Sequence, residues 1–420
     1  MVVETERDLP RSGLGPEFRK LWAASTVSNL GDGIALVAAP LLAAALTHDP
    51  ALVAGLAFAQ RLPWLLFALF SGALADRLDR RRAMVAVGTC RAALIGILGV
   101  AVLLDRASLP LLYAVFFLLS AGETLFDTAA ATVLPAVVPR EGLPRANARL
   151  SGTVTVANYF VGKPLGGFLF ATAAALPFLL GAGGLAAAAA LVLALRGTFK
   201  AERVGGTPPA ALRAEIAAGV RWLWRHRLLR TLALTLAFLD VTLVAWDSVM
   251  VLFARERLGV GQAGYGVFLT THAAGAMLGS LVAGRVIARL GAGRVLRIGL
   301  FIEAATPAAI ALASGPLLAG AALAVFGCHA LIWGALLTSL RQELTPNLLR
   351  GRVESVYRLL AYGGAAPAPL LGGLLAARFG LAAPFWFAAI ATALLIPLVW
   401  STFSEATVAV ARRDADEDAS

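Results

Sequence analysis

Segments of about twenty residues with almost no charge recur along this chain, and they end abruptly in clusters of ions. The run "LVAGLAFAQRLPWLLFALFSGALA" (52–75), for example, stops at "DRLDRRR". Such a segment is long enough to cross the roughly 30 Å of a bilayer's hydrocarbon core. Inside lipid the backbone must satisfy its own hydrogen bonds, which for a single segment means an α-helix. The composition agrees: 59% of the residues are hydrophobic, 15% are charged, and the mean hydropathy is +0.79. Soluble domains carry about 25% charged residues. An all-α membrane protein is therefore expected.

The hydropathy pattern predicts twelve spans, over 20–46, 51–75, 83–104, 108–131, 150–172, 175–195, 229–253, 263–284, 293–313, 317–340, 355–377 and 382–403. The net charge of +11 could point to nucleic acid, but its placement points elsewhere. Of the 36 lysines and arginines, the odd-numbered loops hold Arg106, Arg255, Arg257 and Arg378, and the spans hold Arg61, Arg91 and Lys163. The rest lie in the tails, the even-numbered loops and the first turns of the spans that adjoin them. That asymmetry is the positive-inside pattern, and it predicts both termini in the cytoplasm of a multi-pass protein of the cell membrane.

The spans divide into two sets of six. A long basic segment near the middle contains "GGTPPAALRAEIAAGVRWLWRHR", a proline-broken linker followed by an amphipathic helix suited to a membrane surface. The expected units are a first bundle (1–195), a linker (196–228), a second bundle (229–403) and a cytoplasmic tail (404–420). The halves also resemble each other. "GALADR" from Gly72 and "GSLVAGR" from Gly279 stand 207 residues apart, as do Pro139 and Pro346. The spans after those prolines hold "GKPLGG" (162–167) and "PAPLLGG" (367–373). Several correspondences at nearly one offset indicate a duplicated six-helix unit, a construction common in transporters.

With these motifs the chain resembles the major facilitator superfamily. The superfamily's loop signature, G-x-x-x-D-R-x-G-R-[RK], is matched by Gly72, Asp76, Arg77, Arg80 and Arg81, with Asp79 in place of the second glycine. The resemblance implies two pseudo-symmetric six-helix bundles rocking about a central cavity, and a gate in which Asp76, Arg77 and Arg81 form charge-assisted bonds. Asp79 is expected to offer the arginines a further partner. "FRKLWAASTVSNLGDGIALVAAPLL", "LPAVVPREGLPRANARLSG" and "LTPNLLRGRVESVYRLL" narrow the likeness to the branch of macrolide efflux proteins, the enterobactin exporter and transmembrane secretion effectors. That branch implies export of a small drug-like or siderophore-like amphiphile by proton antiport. Its alternatives are an importer or facilitator of a lipid or metabolite, and a non-transporting scaffold or sensor. Antiporters of the superfamily carry G-P-x-x-G-G in the fifth span. Here Gly162, Gly166 and Gly167 match, Lys163 takes the proline place, and Pro164 stands one position later. Small residues let helices cross closely, so this face is expected against another helix, from the opposite half.

Ionisable groups inside spans are costly and mark cavities or partners. The first half holds Asp32, Glu123 and Asp127 against Arg61, Arg91 and Lys163. At about 1.5 Å per residue, Asp32, Arg61 and Lys163 fall in one mid-membrane layer, with Arg91 lower, near Glu123 and Asp127. Asp32 is therefore expected to pair with Arg61 or Lys163, and Arg91 with Glu123 and Asp127. Away from the ends that adjoin basic loops, the second half's spans hold Asp240, Asp247 and Glu303 with no lysine or arginine, only His272 and His329. A proton-coupled carrier needs a carboxyl that loads and releases a proton, and Asp240, Glu303 and Asp32 are the candidates. Each histidine has a plainer role as a core residue bonded to a backbone carbonyl. Trp246 and Trp333 are candidate substrate walls or core residues.

No P-loop, H-E-x-x-H or G-x-S-x-G pattern occurs, so neither direct ATP use nor hydrolytic chemistry is expected. The four histidines are scattered, which predicts no metal site, and no cofactor is indicated. Cys90 and Cys328 lie in spans of opposite halves and are expected as free thiols. The expected partners are a small-molecule substrate, protons and membrane lipids around a monomer, and not nucleic acid.

Overall fold

The computed structural model describes residues 14–75, 79–196, 217, 219–346 and 349–419. Among them the chain is helical and without strands. The first half runs α1 (Gly15–Leu46), α2 (Pro50–Ala75), α3 (Arg80–Leu103), α4 (Leu109–Val137), α5 (Leu143–Thr153), α6 (Lys163–Thr172) and α7 (Leu176–Leu193). The second half runs α8 (Arg227–Asp247), a short α9 (Met250–Glu256), α10 (Gln262–Leu290), α11 (Ala292–Leu312), α12 (Pro316–Leu344), α13 (Arg350–Arg358), α14 (Ala368–Phe379) and α15 (Ala383–Val399). A terminal helix, α16 (Glu405–Ala419), follows. By length and apolarity, α1, α3, α7, α8, α10, α11 and α12 each qualify alone as spans among the described residues.

Proline sets many of the boundaries. It occupies the first turn of α4, α7, α12 and α15, where no intrahelical donor is lost. Prolines inside helices, Pro40 in α1, Pro63 in α2 and Pro307 in α11, are tolerable where neighbouring helices supply the missing packing.

The fifth and eleventh spans are composite. α5 passes into a π-helical stretch, Val154–Gly162, before α6, and α13 passes into one at Leu359–Gly363 before α14. Both π-stretches precede the glycine- and proline-rich strings that the repeat had paired. The duplication is thus visible in backbone geometry as well as in sequence.

Contacts between the halves follow the same symmetry: α6 packs on α10, and α14 packs on α2. Away from the chain termini, one continuous apolar core joins both halves, running from Val37–Ala44 of α1 and Val53–Leu56 of α2 to Trp246–Ala254 and Phe385. At the terminal end the core divides. One cluster belongs to the first half, around Phe18, Met84 and Leu134, and another to the second, around Leu229, Leu337 and Phe403. Among the described residues the halves are therefore welded at one end and parted at the other.

The start of α3 is capped by Asp79, whose carboxylate accepts from the Arg82 N–H at 3.0 Å. A short acid just before a helix meets the first-turn amides, a role for Asp79 beside the arginine partner expected of it. The corresponding turn of the second half has no acid of its own. Gly291, with φ +81°, turns the chain from α10 into α11, and Glu405 of α16 accepts from the Gly293 N–H at 2.9 Å. Val408 and Ala411 bury the apolar face of α16 in the second half's terminal-end core, and Arg412 bonds Glu343 at 3.0 Å.

Candidate functional site: a charged cavity and a charged interface

A cavity of about 490 Å³ opens in the first half. α1 contributes Asp32, α2 contributes Arg61 and Trp64, α3 contributes Arg91, and α4 contributes Phe116 and Glu123. Asn158 of the π-stretch and Phe178 and Gly181 of α7 complete the wall. Every lining residue belongs to the first bundle. The expected cavity between the halves is thus not the one these residues enclose.

Arg91 and Asp32 form a polar pair in its wall. The Arg91 Nη2 donates to Asp32 Oδ1 at 2.9 Å, with the Arg91 side chain 7% exposed and Asp32 28%. The expected pairing of Asp32 with Arg61 or Lys163 is corrected: its partner is Arg91, which was expected on Glu123 and Asp127. α3 begins at Arg80, three residues before the expected span, which raises Arg91 in the layer order. A guanidinium then reaches further along the helix than its Cα. Glu123 lines the same cavity and is engaged by the protein. Asp127 lies on α4, and of its side chain nothing is described.

Arg61, which also lines this cavity, and Lys163 act on the other half. Arg61 acts electrostatically on Asp240 and Asp247 of α8, and Lys163 acts on Asp247. The Lys163 ammonium also stands 4.8 Å from the centre of the Tyr159 ring, a cation–π contact at i,i+4 spacing. The carboxylates that looked isolated within the second half therefore face cations carried by the first. Counting charges half by half missed this, because the compensation crosses the interface. The i,i+4 spacing of Tyr159 and Lys163 is the signal of this contact in the sequence.

The second half encloses a different polar pair. His329 Nε2 lies 3.3 Å from Glu303 Oε1, with the side chains 5% and 14% exposed. This corrects the reading of His329 as bonded to a backbone carbonyl, and it leaves Glu303 partnered. Around the pair the core is aromatic. His329 packs on Trp333 with ring centres 5.7 Å apart, Phe326 sits between His329 and His272, and Trp246 stacks on Phe385 at 5.5 Å. Trp246 and Trp333 are both buried, so here they act as core and not as exposed walls.

The glycine string does two jobs. A side chain on Gly162 would meet the Gly33 Cα at 2.8 Å, and one on Gly166 would meet the Ile34 Cα at 3.0 Å, both in α1 of the same half. On Gly167 it would meet the carbonyls of Gln262 and Ala263 at 2.8 and 3.0 Å, at the α10 end in the opposite half. Only the last glycine makes the expected cross-half contact. Pro164 starts α6 in the first turn, where its missing N–H costs nothing.

Of the gate signature, Asp76 and Arg77 lie outside the described residues. Gly72 closes on the last turns of α2, Arg80 opens α3, and Arg81 follows it, half-buried. Among the described residues no three of His, Cys, Asp or Glu gather as a metal site requires, and Cys90 and Cys328 are free thiols.

Two six-helix bundles related by a repeat, with paired charges in mid-membrane, define a transporter of the major facilitator class. The family model described as transmembrane secretion effector matches residues 14–418, and the chain belongs to that family. It is similar to the multidrug efflux pump Tap of Mycobacterium tuberculosis, 29% identical over 402 residues that cover 92% of each chain. It is also similar to the enterobactin exporter EntS of Citrobacter koseri, 26% identical over 86% of this chain and 85% of that one. Among solved structures, a mutant of the nucleoside transporter NupG shares the fold with a TM-score of 0.77 at 12% identity, covering 92% of this chain and 100% of that one.

Proposed function

We propose that the protein exports a small amphiphilic molecule from the cytoplasm in exchange for protons, by alternating access. Two observations of different kinds support the reading. The relatives Tap and EntS are named as an efflux pump and an exporter. The observation that carries it is the distribution of charge: Arg61 and Lys163 on one half act on Asp240 and Asp247 on the other. Rocking the halves apart on that side changes the distance between ions held in a low dielectric, so the position of the halves and the protonation of the carboxyls depend on each other.

With both termini in the cytoplasm, as the basic loops favour, the welded end is outside and the parted end faces inward. Residues 1–195 and 229–403 are the two moving bodies, joined by 196–228. Gly72, Asp76, Arg77, Arg80 and Arg81 form the inner gate, which closes when the outer end opens. Asp32, Asp240 and Glu303 are the carboxyls among which the proton is shared, and Arg91 and His329 hold two of them in place.

Purified protein in detergent, given substrate, should release protons, and Asp32→Asn, Asp240→Asn and Glu303→Gln are compared for that release. Antiport predicts that at least one abolishes it while substrate still binds. Unchanged release in all three would exclude these carboxyls. No release from the wild-type protein, with substrate bound, would exclude proton exchange.

A further inference from the structure

The cavity of the first bundle has the size of sites that take drug-sized molecules. Its wall carries four ionisable side chains: three have partners in contact, and the fourth, Arg61, is offset at longer range by carboxylates of the other half. Asp32 and Arg91 hold each other at 2.9 Å. Glu123 has its own contact within the chain. Arg61 acts on Asp240 and Asp247 across the interface. An ion entering this space would need to break one of these arrangements inside a low-dielectric bundle, and a buried charge deprived of its partner is strongly disfavoured. A neutral molecule displaces none of them.

The rest of the wall suits such a guest. Trp64, Phe116 and Phe178 offer ring faces and edges, and Gln60, Ser120 and Asn158 offer hydrogen-bonding groups that do not titrate. Apolar walls with a few fixed polar groups are what orient a small molecule.

We propose that this cavity, enclosed by the first half alone, is the substrate site, and that it selects neutral aromatic molecules with hydrogen-bonding substituents over lipophilic ions of either sign. The inference rests on the transport reading and narrows it to a place and a chemical class. Arg61 is its link to the other half: the same guanidinium lines the cavity and acts on the carboxylates of α8.

Three probes of similar size and aromatic content separate the possibilities: triphenylphosphine oxide, which is neutral, the tetraphenylphosphonium cation and the tetraphenylborate anion. Binding to the full-length protein in detergent is measured by equilibrium dialysis. The phosphine oxide should bind at least about tenfold tighter than either ion. Asp32→Asn, which releases Arg91, should raise tetraphenylborate binding by about tenfold. A phenylalanine at the cavity wall should block the site. Gly181→Phe is chosen because a Cβ there meets Ile95 Cγ2 at an ordinary 3.7 Å, and Ala35→Leu is a second, milder block. Each should weaken the phosphine oxide by about tenfold or more without altering elution or melting. Either ion binding as tightly as the phosphine oxide would overturn the class. Binding untouched by both blocks in well-folded protein would overturn the place. If the phosphine oxide binds and is blocked as described, but proteoliposomes expel nothing under a proton gradient, the site stands and the transport reading falls.

Discussion

At the scale of single residues, the Arg91–Asp32 pair is the first test. Removing one partner of a buried ion pair costs about 3–5 kcal/mol, and less where water reaches the survivor. Asp32 is 28% exposed and Arg91 only 7%, so the two deletions are unequal. Asp32→Asn, which strands the buried guanidinium, should lower the detergent melting temperature more than Arg91→Gln. The double variant should recover part of the loss, as coupled neighbours do. Additive losses would mean that the pair contributes nothing as a pair. A second test lies at Gly299, where a side chain would meet the His329 Cε1 at 2.5 Å and the Trp333 Nε1 at 2.6 Å. Gly299→Ala should therefore destabilise by about 1–3 kcal/mol through overpacking. These partners were hidden in the sequence for a clear reason. Counting 1.5 Å per residue places an ion at a depth, but it does not say which way around the helix its side chain points. Depth put Asp32 beside Arg61, while azimuth gave it to Arg91.

Elements show the opposite balance. The spans and the repeat were legible because the cost of leaving an apolar helix in water, or a backbone group unpaired in lipid, is large enough to dominate every local preference. Helix ends were less legible, and here the tail matters. Asp79 caps α3 from its own loop, whereas the same job at α11 falls to Glu405, more than a hundred residues later in the chain. No local pattern announces a cap delivered from so far away. Losing a cap costs about 0.5–2 kcal/mol. Asp79→Ala and Glu405→Ala should therefore lower the melting temperature by similar amounts, and an unaffected Glu405→Ala would show α16 to be dispensable. The glycine string makes a third prediction. Gly166→Leu collides with the α1 backbone and should impair folding of the first bundle. Gly167→Leu collides with α10 of the other half and should instead hold the welded end apart. In a background with Cys90→Ser and Cys328→Ser, an Ala54→Cys thiol, buried at that end, should become reactive to maleimide only with Gly167→Leu.

For the whole molecule, the sequence carried the architecture further than the site. Duplication and charge bias were enough for two bundles with a basic side, because both are sums over many residues. The cavity is a property of how side chains from several helices of the first half meet in space, and no sum over residues reports that. The gate belongs to this scale too. If Asp76 helps clamp the inner side shut, Asp76→Asn should cut export by about tenfold or more while the protein inserts and purifies normally, a loss in the cycle and not in the fold. Export at the wild-type rate would remove Asp76 from the gate.

A single apolar core at one end and two at the other also gives the molecule unequal claims on the two lipid leaflets. Parted bundles take up more area in their leaflet than joined ones, so if the halves alternate as proposed, each turn of the cycle moves area from one leaflet to the other. Work against lateral pressure thereby enters the transport equilibrium. Lipids with small headgroups, crowded into the leaflet of the parted end, would favour whichever arrangement relieves them. The membrane is then a participant in the cycle, and its composition sets the resting position of the halves before any substrate arrives.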